Sequence, residues 1–347
     1  KMVIPPPIGA EEFSEVMLKL KKLKPELLFI YRAGGFMNQF AIHSVYIENF
    51  RQITQHSVDF EQQMTVIMDI PRDVLEALRI LLGSYLSAYQ KYIPARSIPM
   101  ITCSDRQEQK FSIIAGDLQI DKEAVTITRI KSKRGANHGV IPARLLKMGK
   151  SIESAIAKAD HSDAEMILPL VLYTDYNQLE YNKKSKKIYK GVPGRLEVYK
   201  DGLNPEHTLN FVYDYIKKLE YVAMEENDGK PFPAYIQLLK AMNQAFLAIA
   251  GDHGSIVFSQ KYAPEILAIK SGTDIYQLSK IQSQGICHIL NLILDIAVRM
   301  CILNPYLKDD SLEQTPGVVL IANMPAKVES VLQKIFPKIQ FICSVEN

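Results

Sequence analysis

Pro316-Gly317-Val318-Val319-Leu320-Ile321-Ala322-Asn323-Met324 and, further on, Phe336-Pro337-Lys338-Ile339-Gln340-Phe341-Ile342-Cys343-Ser344 frame a short stretch of helical character at the end of the chain. Val318–Ile321 is wholly apolar and Ile339–Cys343 nearly so. Strands buried on both faces, as in a sheet covered by helices, have this pattern. The two runs around a helix predict an α/β fold. The first strand closes on Ala322 and Asn323, where no carboxylate stands.

Working outward, Gly285–Leu303 predicts a long helix with Ile286, Ile289, Leu290, Ile293, Leu294, Ala297 and Cys301 on its inner face, ended by Asn304-Pro305. Residues 253–272 read as strands, and Thr208–Glu226 and Pro233–Ile249 as helices. Ile167–Tyr173 is apolar nearly throughout and reads as a buried strand. Asn177–Gly194 is a polar loop with five lysines. Ser151–Lys158 reads as helical, Asp117–Thr128 alternates like strands, and Lys131–Gly139 is a basic, polar loop. Towards the start, Val74–Leu82 has the helical period, and Met64–Met68 reads as a strand. Two more strands, around Ile42–Ile47 and Val58–Phe60, are joined by Asn49–Gln55. Residues 1–38, with Pro5-Pro6-Pro7 and an amphipathic stretch over Glu11–Leu23, read as an added segment. The organisation expected is therefore a lobe assembled from residues 39–92 and 261–347, with a mixed, helix-rich central insertion over 93–260.

The chain has 347 residues, 47% hydrophobic and 23% charged, as in ordinary folded proteins. A net charge of +3 is too small to announce a nucleic-acid partner by itself. Cys103, Cys287, Cys301 and Cys343 lack metal-ligand spacing and read as reduced core residues, so a cytoplasmic setting is expected. The first residues lack the apolar core of a signal peptide. Ile289–Leu303 is interrupted by Asn291, Asp295 and Arg299, which predicts a core helix and no membrane span.

Several segments, in order, resemble the ABC/SMC/RecF-like class of AAA-type ATPases, bacterial stand-alone ATP-binding proteins of DNA repair and phage defence. Ile47-Glu48-Asn49-Phe50-Arg51-Gln52-Ile53 with Val58-Asp59-Phe60 resembles the first hairpin of that class. Val66-Ile67-Met68 and Leu75-Glu76-Ala77-Leu78 resemble the flanks of its phosphate loop. Leu168–Tyr173, with Arg195 and Tyr199, resembles its middle region, and Gln282-Ser283-Gln284-Gly285 through Ala297 its signature motif. Pro316–Ile321 and Phe336–Ile342 resemble its second acidic motif and final strand. The resemblance spans residues 40–347 and implies a P-loop-type mixed sheet.

The chemistry that the class implies is not written at the matching positions. A phosphate loop needs glycines so that backbone N–H groups can wrap the phosphates, a lysine, and a Ser or Thr for Mg²⁺. Here Asp69-Ile70-Pro71-Arg72-Asp73 has none of these. Its two aspartates repel a triphosphate, and Pro71 removes an amide donor. Arg72 is its only cation. The acidic motif needs an Asp for the metal and a Glu to orient water; Ala322 and Asn323 do neither. The turn Met324–Glu329 is shortened, and the switch histidine falls on Glu346. Ser283, Gln284 and Gly285 are retained, as residues that would face a nucleotide held by a partner. ATP and Mg²⁺ are thus expected only through a partner subunit, either a second copy or an active ATPase homologue. The same Ser283-Gln284-Gly285 also suits a plain helix start, since Ser is a good N-cap.

Two basic stretches are candidates for nucleic-acid contact: Arg129, Lys131, Lys133 and Arg134, and Lys183, Lys184, Lys186 and Lys187 between Tyr181 and Tyr189. A solvated charged loop is the plainer explanation of both. Gly149-Lys150-Ser151 lacks the glycine a phosphate loop needs five residues earlier, and Asp252-His253-Gly254-Ser255 reads as a polar turn. A catalytically degenerate ATPase-like subunit is the reading that absorbs most of these features. An unorthodox nucleotide enzyme and a nucleic-acid binder are the alternatives.

Overall fold

The computed structural model describes residues 39–89, 93, 98–102, 104–105, 111–121, 123–131, 137–158, 166–179, 194–204, 209–226, 231–262, 266–325 and 328–345. The fold is mixed α/β. Its strands are β1 Phe40–Phe50, β2 Ile53–Asp59, β3 Met64–Ile67, β4 Ser112–Ile120, β5 Glu123–Lys131, β6 Asn137–Val140, β7 Leu170–Asp175, β8 Ser255–Phe258, β9 Leu267–Ser271, β10 Asp274–Gln277, β11 Gly317–Met324 and β12 Ile339–Val345. Its helices are α1 Pro71–Leu86, α2 Ala143–Lys158, α3 Val198–Gly202, α4 Asn210–Glu226, α5 Pro233–Ala250, α6 Leu278–Ile281, α7 Gln284–Leu303, α8 Ser311–Gln314 and α9 Glu329–Ile335.

Three sheets organise these elements. An antiparallel sheet runs β2-β1-β4-β5-β6, a parallel sheet runs β3-β12-β11-β7, and a small antiparallel sheet runs β10-β9-β8. The closing runs Val318–Ile321 and Ile339–Cys343 are neighbours in the parallel sheet and buried throughout. Helix α1 touches β1, β4 and β5 of the antiparallel sheet and β11 and β12 of the parallel one. A helix between two sheets must be apolar nearly all round, and α1 buries Val74, Leu75, Ala77, Leu78, Ile80, Leu81, Leu82 and Tyr85. Helices α3 and α7 pack on β7. Helix α7 is long and apolar enough to cross a membrane by length and composition, yet 83% of that window is buried inside the fold.

Two side-chain amides tie together segments distant in the chain. Strand β1 pairs with β2 only from Ser44 onward, and a register shift falls between Ile42 and Ser44. Ile42 therefore has outward backbone groups with no strand beside them. Gln340 of β12 serves as that missing strand: its Oε1 accepts from Ile42 N (2.8 Å), and its Nε2 donates to Ile42 O (2.9 Å) and Glu61 O (2.7 Å). Asn304, after α7, does the same for Leu168 N and O at 2.8 and 2.9 Å, and donates to Thr315 Oγ1 at 2.9 Å. Buried amides of this kind satisfy backbone groups that would otherwise lack partners.

The elements differ from the sequence expectations in instructive ways. The joint between the first two strands is the turn at Arg51-Gln52, much tighter than Asn49–Gln55. The loop expected over Lys131–Gly139 is partly strand, since Lys131 ends β5 and Asn137–Val140 form β6. Strand β10 was not expected; it is short, with exposed Asp274, Ile275 and Tyr276, and carries no buried pattern to read. Strands β4, β5 and β6, whose residues were expected in the central insertion, belong to the same antiparallel sheet as β1 and β2. Residues 170–175, also expected there, form an edge of the parallel sheet. Residues 1–38 lie outside the described residues.

Candidate functional site

In a parallel sheet, ligands bind outside the carboxyl ends of the strands. Here those ends are Ile67, Val345, Met324 and Asp175. Strand β3 passes to α1 through Met68-Asp69-Ile70, with Met68 76% exposed. Ile70 sits in left-handed backbone, φ 44° and ψ 47°, a conformation costly for a β-branched residue. The Asp73 and Val74 amides both donate to Ile70 O at 3.2 Å, and Pro71 has no amide to offer.

The positive end of α1 already faces a carboxylate. Asp73 in its first turn accepts from Gln52 N at 3.4 Å and lies 3.5 Å from Arg51 Nη1. The same guanidinium reaches Glu76 at 3.7 Å and Asp105 at 2.7 Å. Burial works against the Arg51 charge, but the Asp105 hydrogen bond and the fields of Glu76, Asp105 and Asp73 overcome it and raise its pKa. Burial pushes the Asp105 carboxyl up, while hydrogen bonds from Thr102 and Arg51 and the Arg51 charge outweigh it and hold it below the usual range. Arg79 pairs with Glu76, donates to Leu203 O at 2.9 Å and lies over the Tyr173 ring. The charges around α1's first turns are therefore paired with one another, while Arg72 is exposed.

At the ends of β11 and β7 the polar groups are paired as well. Ala322 stands beside Asp175 in register. Asn323, at φ 59°, donates its backbone N–H to Ser344 Oγ and its side-chain Nδ2 to Asp175 Oδ1, both at 3.0 Å. Asp175 also accepts from Asn177 N at 3.0 Å and Gln178 Nε2 at 3.1 Å. A carboxylate holding three donors is a turn-former here. A hard cation at this point would have to displace them.

Ser283 is the N-cap of α7, accepting from Ile286 N at 3.4 Å, and Ser283, Gln284 and Gly285 are exposed. Gly285 O accepts from Tyr176 OH at 2.9 Å, and the Tyr176 ring meets His288 edge-on. The signature-like segment is thus tied, through Tyr176, to the turn that follows Asp175. Asp175, Tyr176 and Gln178 carry no motif in the sequence, and Arg51 stands there only within the hairpin. The visible signal for the turn was an Asp directly after an apolar strand, the usual start of an Asx turn.

Other candidates lie elsewhere. Arg129 and Lys131 sit on β5, 9% and 5% exposed. Lys133, Arg134, Lys183, Lys184, Lys186, Lys187 and Glu346 fall outside the described residues. Gly149 is inside α2, where a Cβ would lie 2.4 Å from Ala88 O, so it serves close packing against the end of α1. Asp252, His253 and Gly254 form an exposed bend that leads into Ser255, the exposed first residue of β8. No cluster of three metal-type side chains occurs among the described residues.

Sequence comparison matches the chain to no family model and to no curated protein. Among solved structures it is similar to an SMC head domain from Thermotoga maritima, with a TM-score of 0.43 and 10% identity over 88% of this chain and 89% of that one. It is also similar to the recombination mediator protein RecF of the RecFOR pathway. For the RecF-ATPrS structure the TM-score is 0.41 at 14% identity, covering 90% of this chain and 94% of that one. For the RecF-ATP structure it is 0.40 at 14% identity, covering 88% and 93%.

Proposed function

We propose that this chain is a binding or structural subunit built on an ATPase-like lobe, with no hydrolytic site of its own. One observation carries the reading. The place where a triphosphate would meet the start of α1 holds Asp73 locked to Arg51 and Gln52, behind a turn with neither glycine nor lysine. The strand end that would carry the metal and the water-orienting carboxylate holds Ala322 and Asn323, the latter bonded to Asp175. A positive helix end that already faces a carboxylate offers little to a phosphate.

The exposed start of α7 supports a role toward a partner. Ser283 and Gly285 would lend their groups to a nucleotide held by a second copy or by an active homologue. Titration calorimetry with ATP in the presence and absence of Mg²⁺ tests the proposal on the isolated chain. No Mg²⁺-dependent heat is expected; Mg²⁺-dependent binding at micromolar ATP would overturn it.

A further inference from the structure

Most of the recessed arginines in this fold have visible compensation. Arg51 has Asp73, Glu76 and Asp105. Arg299 has Asp295 at 2.7 Å. Arg195 donates to the Leu303 and Met166 carbonyls and to Asn304 Oδ1. Arg129 and Lys131 are the exception.

These two residues are i and i+2 on β5, so they share one face, with Cα atoms about 6.5–7 Å apart. It is the face turned to α1, because Arg129 Nε donates to Ser84 Oγ on that helix. Among the described residues, no ion pair or hydrogen bond reaches the Nη groups of Arg129 or the ammonium of Lys131. Their neighbours across the sheet are not acidic: Ile114 and Gly139 flank Arg129, and Ser112 and Asn137 flank Lys131. The Ser112 hydroxyl is directed elsewhere, to Asn49 O at 2.6 Å. Burial lowers the Arg129 pKa, and among the described residues no carboxylate opposes it.

Ser84 lies in the last turn of α1, whose negative end offers some compensation. A helix terminus carries roughly half a charge, so among the described residues most of the two positive charges is left unbalanced. Recessed charges without partners are strongly disfavoured.

We propose that Arg129 and Lys131 form a recessed binding site for a phosphate group. Two cations on one face match a dianion better than a single carboxylate. The free edge of a guanidinium beside an ammonium gives a fork and a point donor, a combination suited to a tetrahedral oxyanion. The group can come from a free phosphate or pyrophosphate, or from the backbone of a nucleic acid. The inference does not rest on the ATPase-like reading, since neither residue lies at the ends of the parallel strands.

Thermal melting of the full chain and of Lys131→Met, in low-salt buffer with EDTA, tests the site. The probes are inorganic phosphate, pyrophosphate and a single-stranded oligonucleotide. At least one probe should raise the wild-type melting temperature, with affinity at least tenfold weaker in Lys131→Met. Stabilisation by phosphate or pyrophosphate identifies a free anion, whereas stabilisation by the oligonucleotide alone identifies a backbone. Without any probe, Lys131→Met should melt above wild type, because an uncompensated cation has been removed. The proposal is overturned if no probe stabilises wild type, if Lys131→Met binds as wild type does, or if it melts lower without a probe.

Discussion

Arg51 shows how much one side chain decides at this site. It sits at φ 49° in the β1–β2 turn and gathers Asp73, Glu76 and Asp105 around one guanidinium. Arg51→Met leaves those carboxylates facing one another. With the arginine side chain 28% exposed, solvent shares the load, so the expected loss is about 1–2 kcal/mol in urea unfolding at neutral pH. The pH dependence has a definite sign. The folded pKa of Asp105 lies below its ordinary value, so its contribution is present above about pH 4 and is lost as the pH falls through the folded value. Part of that depression comes from Arg51, so the acid limb of the stability curve should be shallower in Arg51→Met. An unchanged limb would mean that Thr102 alone holds the carboxyl down. Residue types at Asp69–Asp73 and Ala322-Asn323 were legible in the sequence. Arg51 was quoted there only as part of a hairpin, because its three partners come from two segments distant in the chain.

At the scale of elements, long apolar stretches were the most legible. Helix α7 spans Gln284–Leu303, within one residue of its expected start, and the closing strands differ only at their ends. Burial on all sides leaves such segments little freedom of pattern. Short strands such as β6 and the largely exposed β10 owe their existence to a neighbour's hydrogen bonds, which no local periodicity records. The same dependence makes Gly317, the first residue of β11, informative. A Cβ there would lie 2.3 Å from Leu170 O in β7. Gly317→Ala must therefore push the two parallel strands apart, at a cost of about 1–3 kcal/mol. Chemical denaturation measures the loss, and hydrogen exchange should show it concentrated in β7 and β11. A variant as stable as wild type would mean that the edge strand β7 shifts freely.

For the whole molecule, the joints between sheets matter most. Helix α1 lies between two sheets, and Gln340 ties β12 to Ile42 and Glu61 across them. Gln340→Met keeps the volume but strips partners from three backbone groups. A loss of about 3 kcal/mol is expected. Because one helix serves both sheets, unfolding should remain a single transition when followed by far-UV circular dichroism and tyrosine fluorescence. Two separated transitions would show that the sheets fold independently. By itself the sequence determined the α/β class, the buried closing strands, the core character of α7 and the residue types at Asp69–Asp73 and Ala322-Asn323, since each depends only on local pattern and side-chain chemistry. The tertiary structure alone decided that β4, β5 and β6 join the first hairpin, that Asp73 faces Arg51 and Asn323 faces Asp175, and that Arg129 and Lys131 are recessed together. Those are relations between segments far apart in the chain. They follow from how sheets and helix close on one another, which no single stretch of sequence contains.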